Sequence, residues 1–419
     1  MTLRFGRTGQ WMVIGVLALV AASPLQADDK ADLKQKALAL NDVTGDDTIK
    51  GEVKALVDKP TETKKLLAVA QEMAKEKEQP FNYTAALILG EAAEELKLAE
   101  AGKVFYWICA EEANKLQSPQ KLIQAYVGLL SVIDLLYLDK KYDESSKLSQ
   151  QFLEMLEKQG VSDEAKTDVI WRLARAWARQ GKAAEANKVV DSFVKRRETD
   201  WHRLEVKGRL KRELNENDEA LRVYEELPGR IDKDPKLKET EKEKFKEGVQ
   251  YILSGIYIEL KQSDRAIEVL RKLLAKDPKN PTYNNDLGYV LADNNKELDN
   301  AEKMIRTALE EERKLRKEAT DLPPELDHDS AAYLDSLGWV LFKKKKFQDA
   351  KKELLEATKD KDDGQHIEIL DHLADVHMAL GEKAEAVAVW KKAIAQEATT
   401  TRDKERKKVI ENKMKEASK

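Results

Sequence analysis

The stretch Ala331–Thr358, AAYLDSLGWVLFKKKKFQDAKKELLEAT, decides the fold. Gly338 lies between Leu337 and Trp339 inside a run of helical periodicity, where glycine costs about 1 kcal/mol relative to alanine. Ala350 follows twelve residues after Gly338 and Ala357 seven residues later, with Leu341 and Leu354 as large neighbours. This spacing predicts a helical hairpin: helix, short turn, helix. The small residues Gly338 and Ala350 are expected to face each other where the helices cross. Close approach there lets the large side chains fill the flanking grooves, which offsets the propensity cost of the glycine.

The same pattern recurs along the chain. Copies begin at Ala174 (with Ala186), Gly208 (Ala220), Ser254 (Ala266), Gly288 (Ala301) and Ala374 (Ala386). Spacings between first small positions are 34 from 174 to 208, 34 from 254 to 288, and 36 from 338 to 374. Two gaps are longer, 46 from 208 to 254 and 50 from 288 to 338; the first holds Pro228-Gly229 and the second Leu322-Pro323-Pro324. Weaker copies precede these, one around Leu89-Gly90 with Gly102 and Tyr106, another around Gly128 to Ser145. A single hairpin cannot bury its apolar face alone, so hairpins stack on their neighbours.

The pattern resembles the tetratricopeptide repeat family, most closely at Leu337-Gly338, Leu341, Phe347, Ala350, Leu354 and Ala357, with Asp277-Pro278 matching the proline that closes a repeat. The resemblance implies an all-α fold: a right-handed superhelical solenoid of antiparallel helix pairs, about eight hairpins plus a C-terminal capping helix. The expected organisation is a signal peptide over 1–27, a helical segment over 28–82 and degenerate repeats over 83–227. A charged insertion over 228–247, clear repeats over 248–395 and a charged capping helix or tail over 396–419 complete it.

The address signal sits at the N-terminus. Arg4 and Arg7 precede an apolar core from Trp11 to Ala22; Pro24 breaks it, and Leu25-Gln26-Ala27 leads into Asp28-Asp29-Lys30. A basic end, a short apolar core and a small residue before polar sequence make a secretory signal peptide, cleaved after Ala27. A core of about 12 residues is shorter than the roughly 20 that span a bilayer. No later apolar run reads as long enough to do so. We expect an exported protein of the periplasm or cell envelope. Loss of Arg4 and Arg7 takes the formal charge from −4 to −6. That balance gives no support to nucleic-acid binding, where a basic stripe is needed. The single cysteine, Cys109, excludes an intramolecular disulfide.

The resemblance also implies where a partner docks, because the first helices of such repeats line a concave groove. Carried onto this sequence, two patches face it. One comprises Trp171, Arg175, Arg179, Arg209 and Arg212, where guanidinium forks suit carboxylates. The other comprises Asp335, Asp371 and Asp375 with Tyr289, Trp339 and Phe342, suited to a basic and apolar segment. The bland alternative for both is a solvated surface with internal ion pairs. The excess of Lys and Arg after Gln396 reads as the polar outer face of a cap, or as a segment that touches an acidic surface.

Signals for chemistry are weak. His366, His372 and His377 with Asp371 and Asp375 are the best metal candidates, but His372 and His377 are five apart, whereas ligands on one helix face want three or four. No phosphate loop or nucleophile elbow occurs, and Cys109 falls at a packing position. We therefore expect no enzyme activity, no cofactor and no small-molecule substrate, but a protein or peptide partner. Self-association of the solenoid and a site grafted on it are the alternatives.

Overall fold

The computed structural model describes residues 27–76, 80–319, 327–361, 363–398 and 401–417. The first 26 residues, which carry the expected signal sequence, lie outside these, as do Leu322–Pro324. Among the described residues the chain is all-α, with twenty α-helices and no strand. Packing divides it into two units at residues 193 and 194.

The first unit opens with α1 (Ala27–Ala39), α2 (Asp46–Val57) and α3 (Pro60–Met73). Three helix pairs follow: α4 (Tyr83–Glu95) with α5 (Ala99–Lys115), α6 (Pro119–Leu138) with α7 (Tyr142–Lys158), and α8 (Asp163–Arg179) with α9 (Ala183–Lys195). α5 packs on both α4 and α6, while α2 and α3 pack on the start of the array. The second unit holds α10 (Trp201–Glu213), α11 (Asn217–Asp232), α12 (Glu239–Glu259), α13 (Ser263–Lys276), α14 (Pro281–Asp293), α15 (Leu298–Glu318), α16 (Ala331–Lys343), α17 (Phe347–Ala357), α18 (Ile367–Ala379) and α19 (Lys383–Ala395). Each pair also packs on the next, and α20 (Thr401–Ala417) lies on α18 and α19.

Every one of the eight hairpin turns carries a residue with positive φ at the same place: Lys97, Lys140, Gly181, Asn215, Lys261, Asn295, Lys345 and Gly381. The N–H that follows it reaches back to a carbonyl in the last turn of the first helix, as in Lys346 N to Leu341 O at 2.9 Å and Glu382 N to His377 O at 2.9 Å. This is the left-handed helix cap that glycine favours. For lysine the conformation costs about 1–2 kcal/mol, against about 0.5–1 kcal/mol of extra unfolded-state freedom for glycine. Lys345→Gly is therefore expected to raise the unfolding free energy by up to about 1 kcal/mol, read as a higher urea midpoint at unchanged slope.

The helix crossings correct one expectation in part. A Cβ on Gly338 would sit 2.5 Å from Leu354 Cγ, one on Gly288 2.7 Å from Ile305 Cγ1, and one on Gly208 2.7 Å from Tyr224 Cε2. The glycine thus receives the large side chain one turn beyond the second small residue, and Gly288 also lies against that small residue itself, with a Cβ there 2.9 Å from Ala301 O. The long residue needs the missing Cβ, while Ala350 lets the backbones draw together beside it. In the first unit one ring serves two crossings. Tyr106 lies against Gly90 and also against Gly128, where any Cβ would overlap it, and its hydroxyl donates to Glu94 Oε2 at 2.5 Å.

α6 corrects another expectation. Despite Gln124, Ser131 and Asp134, it is long and apolar enough to cross a membrane by length and composition alone. Ala125, Leu129, Val132, Ile133 and Leu136 are fully buried within its unit, whereas Ile123, Val127 and Leu138 on the same helix are exposed.

Candidate protein-binding face

On α18 the apolar Leu370, Leu373, Ala374 and Val376 go into the repeat core. Glu368, Asp371 and Asp375, spaced three and four residues apart, form a stripe on one helical face. α16 offers Asp335 and Trp339 four residues apart, and α14 offers Tyr289 and Asp293 at the same interval. Successive first helices pack side by side, so the three stripes meet.

Their meeting point is His372. Its ring stacks on Trp339 with centroids 3.9 Å apart and planes at 12°. Its Nδ1 lies 2.8 Å from Asp335 Oδ1. Trp339 donates its indole N–H to Asp293 Oδ1 at 3.1 Å and stacks on Phe342 at 5.1 Å. Asp335, Asp371 and His372 are all buried. Burying carboxylates is costly unless they are paired and hydrogen-bonded.

The pairing comes from α20. Arg402, Arg406 and Lys413, spaced four and seven apart, lie over the acidic stripe of α18. Arg402 and Arg406 both donate to Glu368 Oε1, at 2.6 and 2.5 Å. Arg406 also donates to Asp371 Oδ2 at 3.2 Å, and its other contact is His372 Nε2 at 3.5 Å. Lys413 bridges Asp371 Oδ1 at 2.9 Å and Asp375 Oδ2 at 2.7 Å. Trp390 donates to Asp371 Oδ1 from the other side at 2.9 Å. The Tyr289 hydroxyl donates to Glu368 at 2.5 Å and accepts from Arg402 at 3.3 Å.

These contacts set the charge states. Burial acts to raise Glu368, but Arg406 and Arg402 outweigh it and hold the carboxyl at about 2. Burial and the neighbouring Asp371 push Asp375 up. Burial acts to lower His372, and Asp335 more than offsets it, so the imidazole is raised. Glu368 is a carboxylate depressed on folding, so its stabilisation is present above about 4.5 and is lost as pH falls toward about 2. Protonation of Asp375 on acidification works in the opposite sense. Subtracting the acid unfolding curve of Glu368→Gln from that of the native chain isolates the Glu368 contribution. It is expected to decline between about pH 4.5 and 2; a flat difference would contradict the pairing.

The structure brings Tyr289, Asp335, Trp339, Phe342, Asp371 and Asp375 into one neighbourhood. Sequence reasoning left Glu368, His372, Arg402, Arg406 and Lys413 out of it. Glu368 falls at a groove position of the repeat at Ala374; the spacing of Arg402, Arg406 and Lys413 on one face of a polar tail was a signal for those three, and the contacts of His372 had none. The arginine patch is spread over both units. In the first, Arg175 pairs with Asp134 and lies 4.2 Å above the Tyr137 ring, beside Arg172, which donates to the same carboxylate at 2.7 and 2.9 Å. Arg179 donates to the Tyr137 hydroxyl at 3.0 Å, and Trp171 is half-buried. In the second, Arg209 pairs within its helix with Glu205 at 2.7 Å and Arg212 is exposed.

The histidines serve separate partners. His377 Nδ1 meets Glu382 Oε2 at 2.6 Å, and His366 caps α18 at its N-terminus. Among the described residues no group of three or more His, Cys, Asp or Glu is placed to hold a metal. The thiol of Cys109 is buried and donates to Tyr83 O at 3.7 Å. Burial raises it well above the ordinary thiol range, away from the reactive thiolate.

Residues 256–314, from the end of α12 through most of α15, match the tetratricopeptide repeat family. The stacked hairpins on either side of this segment share its turn geometry. No curated protein matches the chain. Among solved structures it is similar to yeast Tom70, at 15% identity over 93% of this chain and 79% of that one with a TM-score of 0.50, a likeness of fold. It also resembles a tetratricopeptide repeat protein from Parabacteroides merdae, at 16% identity over 73% of this chain and 99% of that one with a TM-score of 0.43. A thermophilic tetratricopeptide repeat protein from Thermus thermophilus matches at 19% identity, 52% and 98% coverage and a TM-score of 0.37. Tetratricopeptide repeat proteins generally mediate protein–protein interaction and scaffolding.

Proposed function

We propose that this chain is an exported tetratricopeptide repeat scaffold. It holds or assembles protein partners in the cell envelope through the face lined by α14, α16 and α18, without chemistry of its own. The observation that carries this reading is the acidic and aromatic face itself: Glu368, Asp371 and Asp375 beside Tyr289, Trp339 and His372, engaged by a basic helix. Carboxylates beside stacked aromatics favour basic, partly apolar segments through charge complementarity and aromatic anchoring. The basic end, apolar core and Ala27 of the N-terminus support export.

Cross-linking in the intact envelope followed by mass spectrometry tests the reading. The expected result is a protein partner joined to residues of α14, α16 or α18, on a chain whose N-terminus begins at Asp28. A chain recovered only from the cytoplasm, or one joined to nothing, would overturn it.

A further inference from the structure

α20 is held to the repeats by few apolar and many charged contacts. α18, a helix of the repeat core, buries Ile367, Ile369, Leu370, Leu373, Ala374 and Val376. α20 buries only Ile410 and Ala417 among its apolar side chains, and burying one isoleucine contributes roughly 2 kcal/mol. Half-buried Met414 adds to that apolar contact, His366 meets Asp403 at 3.6 Å, and the most extensive polar attachment is the pairing of Arg402, Arg406 and Lys413 with Glu368, Asp371 and Asp375. Such pairs give register and selectivity, while desolvation cancels much of their net attraction. The contacts also extend beyond the last hairpin. Arg402 reaches Tyr289 on α14, and Glu405 meets Lys261 in the α12–α13 turn at 3.3 Å. A helix that merely sealed the end of the stack would need contacts with α18 and α19 alone. α20 instead packs on α18 and α19 and also sends side chains to α14 and to the α12–α13 turn.

We propose that α20 is a displaceable occupant of this face, and that the partner admitted in its place is a basic helix presenting two arginines four residues apart and a lysine seven residues further on. The inference rests on the reading that this face binds a protein, and it names both the chemistry of the partner and its control. Covalent attachment to the same chain keeps α20 at a local concentration on the order of millimolar. A free helix must outcompete it, so the apparent affinity of any partner falls by the fraction of time the face is closed. Weakening the hold of α20 therefore opens the face without altering it.

The test uses the full chain and a fluorescein-labelled peptide of residues 401–417. Arg402→Glu/Arg406→Glu leaves the α14, α16 and α18 face intact and sets like charges against Glu368 and Asp371. The peptide is expected to bind this variant at least about tenfold tighter than it binds the native chain, and to weaken as salt rises from about 0.05 to 0.5 M. Equal affinity for both chains, or binding to neither, would overturn the proposal. Circular dichroism verifies that the variant is folded. Should it not fold, Lys413→Ala replaces it, with a gain of about threefold expected and no gain counting against the idea. Hydrogen exchange on the native chain supplies an independent reading. Amides of α20 should exchange faster than those of α18, through local opening, and equal protection would mean that α20 is a fixed part of the fold. The peptide test needs no envelope partner, so its failure removes the competing helix and leaves the scaffold reading to the cross-linking experiment.

Discussion

Asp371→Ala is expected to lower the unfolding free energy of the second unit by about 3–5 kcal/mol, the cost of leaving buried partners uncompensated. Asp371 is 2% exposed, and one carboxylate serves three donors on two helices: Trp390 Nε1, Arg406 Nη1 and Lys413 Nζ. Its removal leaves the indole N–H of Trp390 unpaired in the core and takes one of two carboxylate partners from each of Arg406 and Lys413. Asp371→Asn keeps an acceptor for Trp390 and gives up the charge, so it should cost clearly less. Guanidinium unfolding followed by tryptophan fluorescence measures both. A loss below about 1 kcal/mol for the alanine variant would place Asp371 among solvent-screened surface charges.

Leu354→Ala is expected to cost about 2–5 kcal/mol, as core leucine truncations do. Leu354 is fully buried and its Cγ occupies the space that a Cβ on Gly338 would take. The reverse change, Gly338→Ala, gains about 1 kcal/mol of helix propensity, yet it forces that leucine aside and should lose about 1–3 kcal/mol from overpacking. In the double variant the new methyl enters the cavity left by the leucine. Its loss should be smaller than the sum of the single losses, by about 0.5–3 kcal/mol of coupling. Strict additivity in denaturant titrations would mean that the two positions do not touch.

The fold was legible because the hairpin demands small residues at a fixed spacing. Gly208, Gly288 and Gly338 mark crossings even where the rest of a repeat has drifted. The seat of the large side chain inside each crossing was not legible, because spacing along the chain does not say that the residue one turn beyond the second small position also lies under the glycine. In the first unit Tyr106 was visible as a large position, but its second seat on Gly128 was not, since that contact joins different hairpins. At the face on α14, α16 and α18 the acidic and aromatic residues were readable one repeat at a time. Helical periodicity gives each helix its own outward side; it gives no information on what approaches from beyond the last repeat. Arg402, Arg406 and Lys413 therefore read as a solvated cap until their distances to Glu368, Asp371 and Asp375 were known. His372 was weighed as a metal ligand because neither its stacking on Trp339 nor its bond to Asp335 has a signature in local sequence.

The double seat of Tyr106 has a consequence for how the first unit comes apart. In a linear array each hairpin can in principle melt one at a time from an end, because each touches only its neighbours. A single ring wedged between α4 and α6, with its hydroxyl fixed on Glu94, does not permit that between these two pairs. Withdrawal of α6 strips one side of the ring, and loss of α4 strips the other together with its hydrogen bond. Partly melted forms that break at this seam are thereby penalised. Residues 83–158 should thus behave as one block under stepwise pulling or brief protease exposure, yielding a single large extension or one long resistant fragment instead of a ladder of hairpin-sized steps.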